Sequence, residues 1–304
     1  MPKISVAMAV YNGERFLREQ LDSVYAQTIA PFEVIAVDDC SSDNSFVILK
    51  EYAQKHGLKY MQNKQNLGAN KTFEKAIFLS SGDFIAPCDQ DDIWAENKLE
   101  ECHKAILDLP IDEPNTVICS SIYMDENKKT IYKDISKRKI YRFQDFFPYS
   151  YVAGACSLFN SALKDKVIPF RTAMNYDAEL AMIADLIGNR IQISTTWRFF
   201  RLHFDNLTSA LRNRGFMGKQ RFRIHHCLYK NHLRKKWLDC YMEVIEKYEL
   251  NVESGKMEFI AKLQNAVQKR YKIFFVKEFS FAKRIKIFVA FYIYDFVLIL
   301  KGAR

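Results

Sequence analysis

Phe84-Ile85-Ala86-Pro87-Cys88-Asp89-Gln90-Asp91-Asp92-Ile93-Trp94 is the stretch on which the fold turns. The apolar run 84–87 reads as a short buried strand, and residues 95–109 read as a helix with Leu99, Cys102, Ile106 and Leu109 on one face. Three carboxylates thus leave the end of a strand together, where they repel one another. A divalent cation relieves that repulsion, and magnesium is usually held by one or two carboxylates plus substrate phosphates. On this reading the loop is a metal–diphosphate clamp. The alternative is an acidic turn that caps the next helix, with Asp92 near its positive end.

Outward from this stretch the pattern repeats. Residues 4–10 read as a buried strand, Tyr11-Asn12-Gly13 breaks it, and 14–25 read as a helix. A second strand at 32–37 runs into Asp38-Asp39, a turn with good N-cap residues follows, and 47–56 continue as helix. A short strand at 58–62, a loop at 63–68 and a helix at 70–79 lead back to residue 84. Strands alternating with helices of ten or more residues predict an α/β domain with a parallel sheet covered on both faces. Ligands of such sheets bind beyond the carboxyl ends of the strands. Tyr11-Asn12, Asp38-Asp39 and 89–92 all fall at those ends, which favours the clamp. No GxGxxG follows the first strand and no GxxxxGK[ST] occurs, against a dinucleotide-dependent dehydrogenase and a P-loop NTPase.

The 304 residues carry a net charge of +9, unevenly placed. Residues 1–210 hold 24 Lys/Arg against 28 Asp/Glu, and 211–304 hold 21 against 8. A basic tail on an acidic body points to an anionic partner, either nucleic acid or an anionic membrane surface. Seven cysteines with no CxxC pair argue for reduced thiols in a cytosolic setting. No signal peptide is visible, nor a run of 18 or so apolar residues.

Residues 1–110 resemble the nucleotide-binding half of family 2 inverting glycosyltransferases. The motifs are Val10-Tyr11-Asn12-Gly13, Val37-Asp38-Asp39 with Ser41, Ser42 and Asp43, Asn66-Leu67-Gly68, and Asp89-Gln90-Asp91. The run 89–94 further resembles the rhamnosyltransferase-like branch, which builds bacterial surface polysaccharides. The resemblance implies a GT-A (Rossmann-like) nucleotide-sugar-binding domain with a mixed, mainly parallel sheet, and the residue pattern adds a C-terminal helical extension. The expected catalytic domain spans 1–223, with its nucleotide-binding half at 1–110 and its acceptor half and lid at 111–223; from about 224 the pattern changes to helix after helix, a basic amphipathic extension at 224–304. The backbone near Ala9 and Tyr11 would line the base pocket, and Asp39 would accept from the imide N–H of uracil or thymine. Asp89 would face the ribose or sugar, and Asp91 would hold Mn2+ or Mg2+.

In the second half, 116–124 read as a strand, 125–139 as an exposed loop or hairpin, 142–147 as an amphipathic piece, and 151–159 as strand-like. Asn175-Tyr176-Asp177 opens a helix to 187, where the branch often has His-Asp and an aromatic; Tyr176 and Ala178 depart from that. Asp177 is the candidate base and Glu179 the reserve; the alternative for Asp177 is a favourable helix N-terminal acid. A strand at 190–193 precedes Arg201-Leu202-His203-Phe204-Asp205-Asn206, which resembles the family's Arg-x-His-x-x-Asn segment over the diphosphate. That assigns Arg201 to the donor and His203 to the leaving phosphate or the metal. Basic residues around Gly215 and Gly218 suit a lid.

Helices are expected at 224–247, 254–276 and 282–300. Residues 287–300 are 14 apolar-rich positions, about 21 Å of helix and short of the roughly 30 Å hydrocarbon core. With Lys283, Arg284, Lys286 and Lys301 around them, they read as an interfacial helix that places the protein on the inner face of the cytoplasmic membrane. The alternative is packing on protein, including a homodimer.

The implied reaction moves a sugar, rhamnose from dTDP-rhamnose or else one from a UDP-hexose or UDP-N-acetylhexosamine, to a polyprenyl-diphosphate-linked or other saccharide acceptor. A basic nucleic-acid-binding protein is the rival from another class, but it leaves the clustered aspartates unexplained, so no nucleic acid is expected. A nucleotidyltransferase would carry a glycine-rich basic loop after the first strand, and Tyr11-Asn12-Gly13-Glu14 is not one.

Overall fold

The computed structural model describes residues 2–134, 139–141, 153–203 and 238–268, with 276, 277 and 284. It contains two compact units, Met1–Tyr141 with Tyr151–His203, and Arg142–Ser150 with Phe204–Arg304. The expected boundary after residue 223 falls outside the described residues.

The first unit is built on one sheet ordered β3-β2-β1-β4-β9-β6-β10-β5, with β7 on β6 and β8 on β10. β1 (Ile4–Val10), β2 (Glu33–Asp38), β3 (Lys59–Gln62) and β4 (Phe84–Cys88) are mutually parallel. β1, β2 and β4 are apolar along nearly their whole length because helices cover both faces of a parallel sheet. α1 (Glu14–Tyr25) buries Leu17, Gln20, Leu21 and Val24, and α3 (Ala69–Leu79) buries Thr72, Phe73, Ala76 and Ile77. Both sets follow the three-and-four spacing of a helix face. α2 (Ser45–His56) ends at Gly57, whose φ of 72° is the left-handed C-cap that glycine adopts without a steric penalty.

Beyond β4 the sheet becomes mixed. β5 (Ile93–Trp94) is a two-residue strand antiparallel to β10, and α4 (Lys98–Ile106) follows it. The helix expected from residue 95 therefore starts later, since 93–95 are drawn into a sheet edge whose partner lies a hundred residues away. β6 (Asn115–Met124) and β7 (Thr130–Asp134) form the hairpin that the polar run 125–129 allows, and β8 (Lys139–Tyr141) pairs with β10. The strand-like 151–159 proves to be two things. Among the described residues of that run, Gly154–Cys156 is a 3-10 turn and β9 (Ser157–Asn160) is strand, antiparallel to β4 and β6. α5 (Ser161–Val167) and α6 (Tyr176–Ile187) follow.

β10 is Asn189–Arg201, far longer than the strand expected at 190–193. It is parallel to β6, and its register breaks between Gln192 and Trp197. Two antiparallel steps through β9 make β4, β6 and β10 parallel, so all their carboxyl ends lie on one edge. The 142–147 piece lies outside the described residues.

In the second unit, α7 (238–247) and α8 (Ser254–Gln268) are described. Leu238, Tyr241, Val244 and Tyr248 are buried at helical spacing, as are Phe259, Ile260, Leu263 and Ala266. Among the described residues no helix is long and apolar enough to cross a membrane. The interfacial helix expected at 282–300 and the lid around 215–218 lie outside the described residues, apart from position 284.

Candidate active site

The acidic loop leaves β4 and faces the long strand β10. Asp92 is fully buried, and Arg198 Nη1 lies 2.8 Å from its Oδ2 and 3.1 Å from Asp89 Oδ2. A buried carboxylate without such a partner would be costly. Burial pushes the Asp92 carboxyl well above the usual carboxylate range, and Arg198 pulls it back. Asp89 sits in a recess where burial pushes it up to about 6, again with Arg198 opposing, although its side chain keeps 36% exposure. A second cation lies beneath. Lys98 is fully buried, its Nζ 3.4 Å from the centroid of the Trp94 ring, and its charge also favours ionised Asp89. The repulsion that sequence assigned to a metal is thus partly relieved by Arg198 and Lys98.

What remains for a cation is Asp89 and Asp91, two hard-oxygen donors with accessible carboxylates. That donor set fits Mn2+ or Mg2+ shared with a diphosphate, which needs few protein ligands. Asp91 Oδ2 is 2.8 Å from His203 Nε2, so the expected metal pair is brought together. His203 also packs on Phe16 at 4.8 Å between centroids.

Arg201 is placed differently from the donor role expected of it. It is 1% exposed, Nε donates to the Asp91 carbonyl at 3.1 Å, Nη1 to the Glu126 carbonyl at 3.3 Å, and Nη2 pairs with Glu19. Its guanidinium lies 4.6 Å from the Phe16 ring centroid. The group ties the acidic loop to α1 and to the β6–β7 turn, so as placed it cannot meet a diphosphate.

On the base side, the first two βα loops cap each other's helices. The N–H groups of Asn12, Gly13 and Glu14 donate to Ser41, Ser45 and Asp43 side chains. In return the Ser42 and Asn44 N–H groups donate to Asn12 Oδ1 and Glu14 Oε2. Neither helix has a side-chain cap from its own N-cap residue, and this exchange replaces one. Asp38 is buried and caps the following turn at Ser41 N–H. Asp39, also buried, accepts from Asn63 Nδ2, Leu67 N–H and Gly68 N–H. It therefore holds the Asn66-Leu67-Gly68 loop, with room on Oδ2 for one further donor. Ala9 lies in β1 opposite Val37, and Tyr11, half exposed, follows at the strand end.

Across the cleft, Asp177 is the second residue of α6. Its oxygens accept from the Gly154 N–H at 3.3 Å and the Ala178 N–H at 2.8 Å. Burial pushes it up to about 6, against the pull of those two N–H groups, and the Asp89 charge adds to the rise. Gly154 is required here by space, since a Cβ would sit 2.0 Å from the Tyr176 hydroxyl. Glu179, the reserve base, is fully buried and accepts from Arg171 N–H, Thr172 N–H and the Thr172 hydroxyl. It pins the 171–172 loop and offers no face to an acceptor.

Asn70 bridges to this helix, donating to the Met174 carbonyl and accepting from the Tyr176 N–H. Lys71 pairs with Glu74, as a solvated helix start would. His56 stacks on Tyr25, and His103 packs edge-on to Phe84. Arg198 and Lys98 were missed by the sequence reading. The alternation Trp197-Arg198-Phe199-Phe200-Arg201, continued past the break in β10, was the signal that could have found Arg198.

Residues 5–168 match the model of the family described as Glycosyl transferase family 2. The chain is 38% identical over 97 residues to the UDP-Glc:alpha-D-GlcNAc-diphosphoundecaprenol beta-1,3-glucosyltransferase WfgD of Escherichia coli, covering 32% of this chain and 38% of that one. It is 28% identical over 187 residues to the uncharacterized glycosyltransferase MJ1057 of Methanocaldococcus jannaschii, covering 60% and 62%. The chain thus spans less than two thirds of either relative. Among solved structures, TarS 1-349 of S. aureus in complex with UDP-GlcNAc superimposes with a TM-score of 0.61 at 18% identity, over 95% of this chain and 79% of that one.

Proposed function

Since the chain belongs to glycosyl transferase family 2 and has the GT-A fold, we propose that it transfers a sugar from a nucleoside diphosphate sugar to a saccharide hydroxyl, with inversion. The observation that carries this reading is the pairing at one sheet edge of a cation-balanced acidic loop with Asp177, a carboxylate that accepts only backbone N–H groups among the described residues. Asp177 takes the proton of the attacking hydroxyl; a carboxylate raised to about 6 is deprotonated at neutral pH yet more basic than an ordinary one. Asp89 and Asp91 would hold the cation, Mn2+ or Mg2+, which when bound supplies positive charge to the departing diphosphate. Arg198 fixes the direction of Asp89, and His203 that of Asp91. Leading N–H groups of α1 and α2 already donate to side chains, so the helix-terminus phosphate site of dinucleotide folds is taken here. The diphosphate is left to the acidic loop.

For the donor, the resemblance of 89–94 to the rhamnosyltransferase-like branch favours dTDP-rhamnose, whereas WfgD is named for UDP-Glc and the TarS structure is a complex with UDP-GlcNAc. The acceptor is a polyprenyl-diphosphate-linked or similar saccharide in bacterial surface polysaccharide synthesis, and the basic tail holds the protein on the inner face of the membrane. Thermal shift against dTDP-rhamnose, UDP-glucose, UDP-galactose and UDP-GlcNAc, with and without manganese, tests the donor reading. Stabilisation by none of them would sink it. Co-sedimentation with anionic and neutral vesicles tests the tail, and binding should weaken as salt rises.

A further inference from the structure

One side chain holds both backbone groups of Tyr11. Gln90 Oε1 accepts from the Tyr11 N–H at 2.7 Å, and Gln90 Nε2 donates to the Tyr11 carbonyl at 2.9 Å. The amide makes the pair of bonds that an antiparallel strand neighbour would make. Gly13 gives it room: a Cβ there would lie 2.4 Å from Gln90 Oε1 and 2.5 Å from its Cδ, and all three nearest atoms belong to Gln90. The φ of Gly13 is −105°, a conformation open to other residues, so space explains the glycine and backbone strain does not.

We infer that Gln90 is a positioning residue that holds the Tyr11 wall of the donor site in register with Asp89 and Asp91, and that residue 13 is glycine to admit it. The inference rests on the nucleotide-sugar reading above. A nucleoside diphosphate must meet two walls at once, its base at the β1 and β2 ends and its diphosphate at the acidic loop. Walls fixed at the right spacing let the second contact form without a further ordering cost. Without the clip each wall survives, but their spacing is no longer set.

The experiment is calorimetry on the full chain with manganese, using UDP and dTDP and then the nucleoside of whichever binds more tightly. In Gln90→Ala the diphosphate should lose about tenfold in affinity, about 1.4 kcal/mol, while the nucleoside stays within about twofold. Gln90→Glu keeps the acceptor for the Tyr11 N–H but has no donor for its carbonyl, and should fall between. Gly13→Ala should lose affinity in the parent and nothing further in the Gln90→Ala background; its melting temperature should follow the same cycle without any ligand. The inference is overturned if Gln90→Ala binds the diphosphate as the parent does, if nucleoside and diphosphate weaken equally, or if the two substitutions add. If the parent binds neither nucleotide, the donor reading falls and takes the inference with it, whereas the ligand-free melting cycle still reports whether Gly13 serves Gln90.

Discussion

Asp89, Asp91 and Asp92 are each faced by a basic side chain, Arg198 for the first and last and His203 for the middle one. Asp177, at the same edge, accepts from the backbone of Gly154 and Ala178. The difference separates two kinds of work. Carboxylates held by basic side chains keep a fixed direction, which suits holding a ligand. Asp177, without an ion-pair partner among the described residues, is pushed up to about 6 by burial, which suits taking a proton.

The strongest way to break this contrast is Asp177→Asn. Transfer should fall by about 10²–10⁴ with nucleotide affinity nearly unchanged, measured as turnover beside calorimetry; near-normal turnover would erase the distinction. Next is Arg198→Met, which leaves Asp92 buried and uncompensated. It should cost about 3–5 kcal/mol of stability in chemical denaturation, and Asp92→Asn in the same chain should recover part of it. No loss in the single variant would mean that the acidic loop does not depend on its cation.

A milder test uses pH. Burial holds Asp177 at about 6, above the roughly 3.9 of an unfolded chain. Between those values the folded protein keeps a proton that the unfolded chain has released, so this residue's contribution to stability falls as pH rises from about 4 to about 6. Asp177→Asn should therefore be more stable than the parent by about 1–3 kcal/mol at pH 7.5, and by little near pH 4. The parent's transfer rate should climb through about pH 6. A flat profile there would detach the raised carboxyl from the chemistry. The smallest effect lies away from both acids: Glu14→Ala removes the acceptor for Asn44 and should cost about 1 kcal/mol in thermal melting.

The half up to β4 was legible because its information is local. In β1, α1, β2 and α3 the apolar period, the breaks at Tyr11-Asn12-Gly13 and the polar ends all agree, and boundaries moved by only a residue or two. The other half depends on partners far away in sequence. Ile93-Trp94 becomes strand because Arg198 and Phe199 lie beside it, and β10 continues past the irregular pairing at 193–196 because β6 holds it on both sides of the break. Counting periods stops at such a break, which hid Arg198. Composition made Gly154 look like strand, whereas the Tyr176 hydroxyl decides its surroundings. Asp177 was visible as an acid at a helix start; the commitment of Glu179 to the 171–172 loop was not.

The mutual capping of the first two loops has a consequence for anyone exchanging parts between relatives. Residues 11–14 and 41–45 complete each other across the gap between strands: three backbone N–H groups of the first are satisfied by side chains of the second, and two of the second by side chains of the first. Transplanting either loop alone would strand donors on both sides of the graft, even where the incoming sequence suits its own helix. The two segments are therefore one heritable module split in the chain by a helix and a strand, and specificity swaps at this edge should move them together.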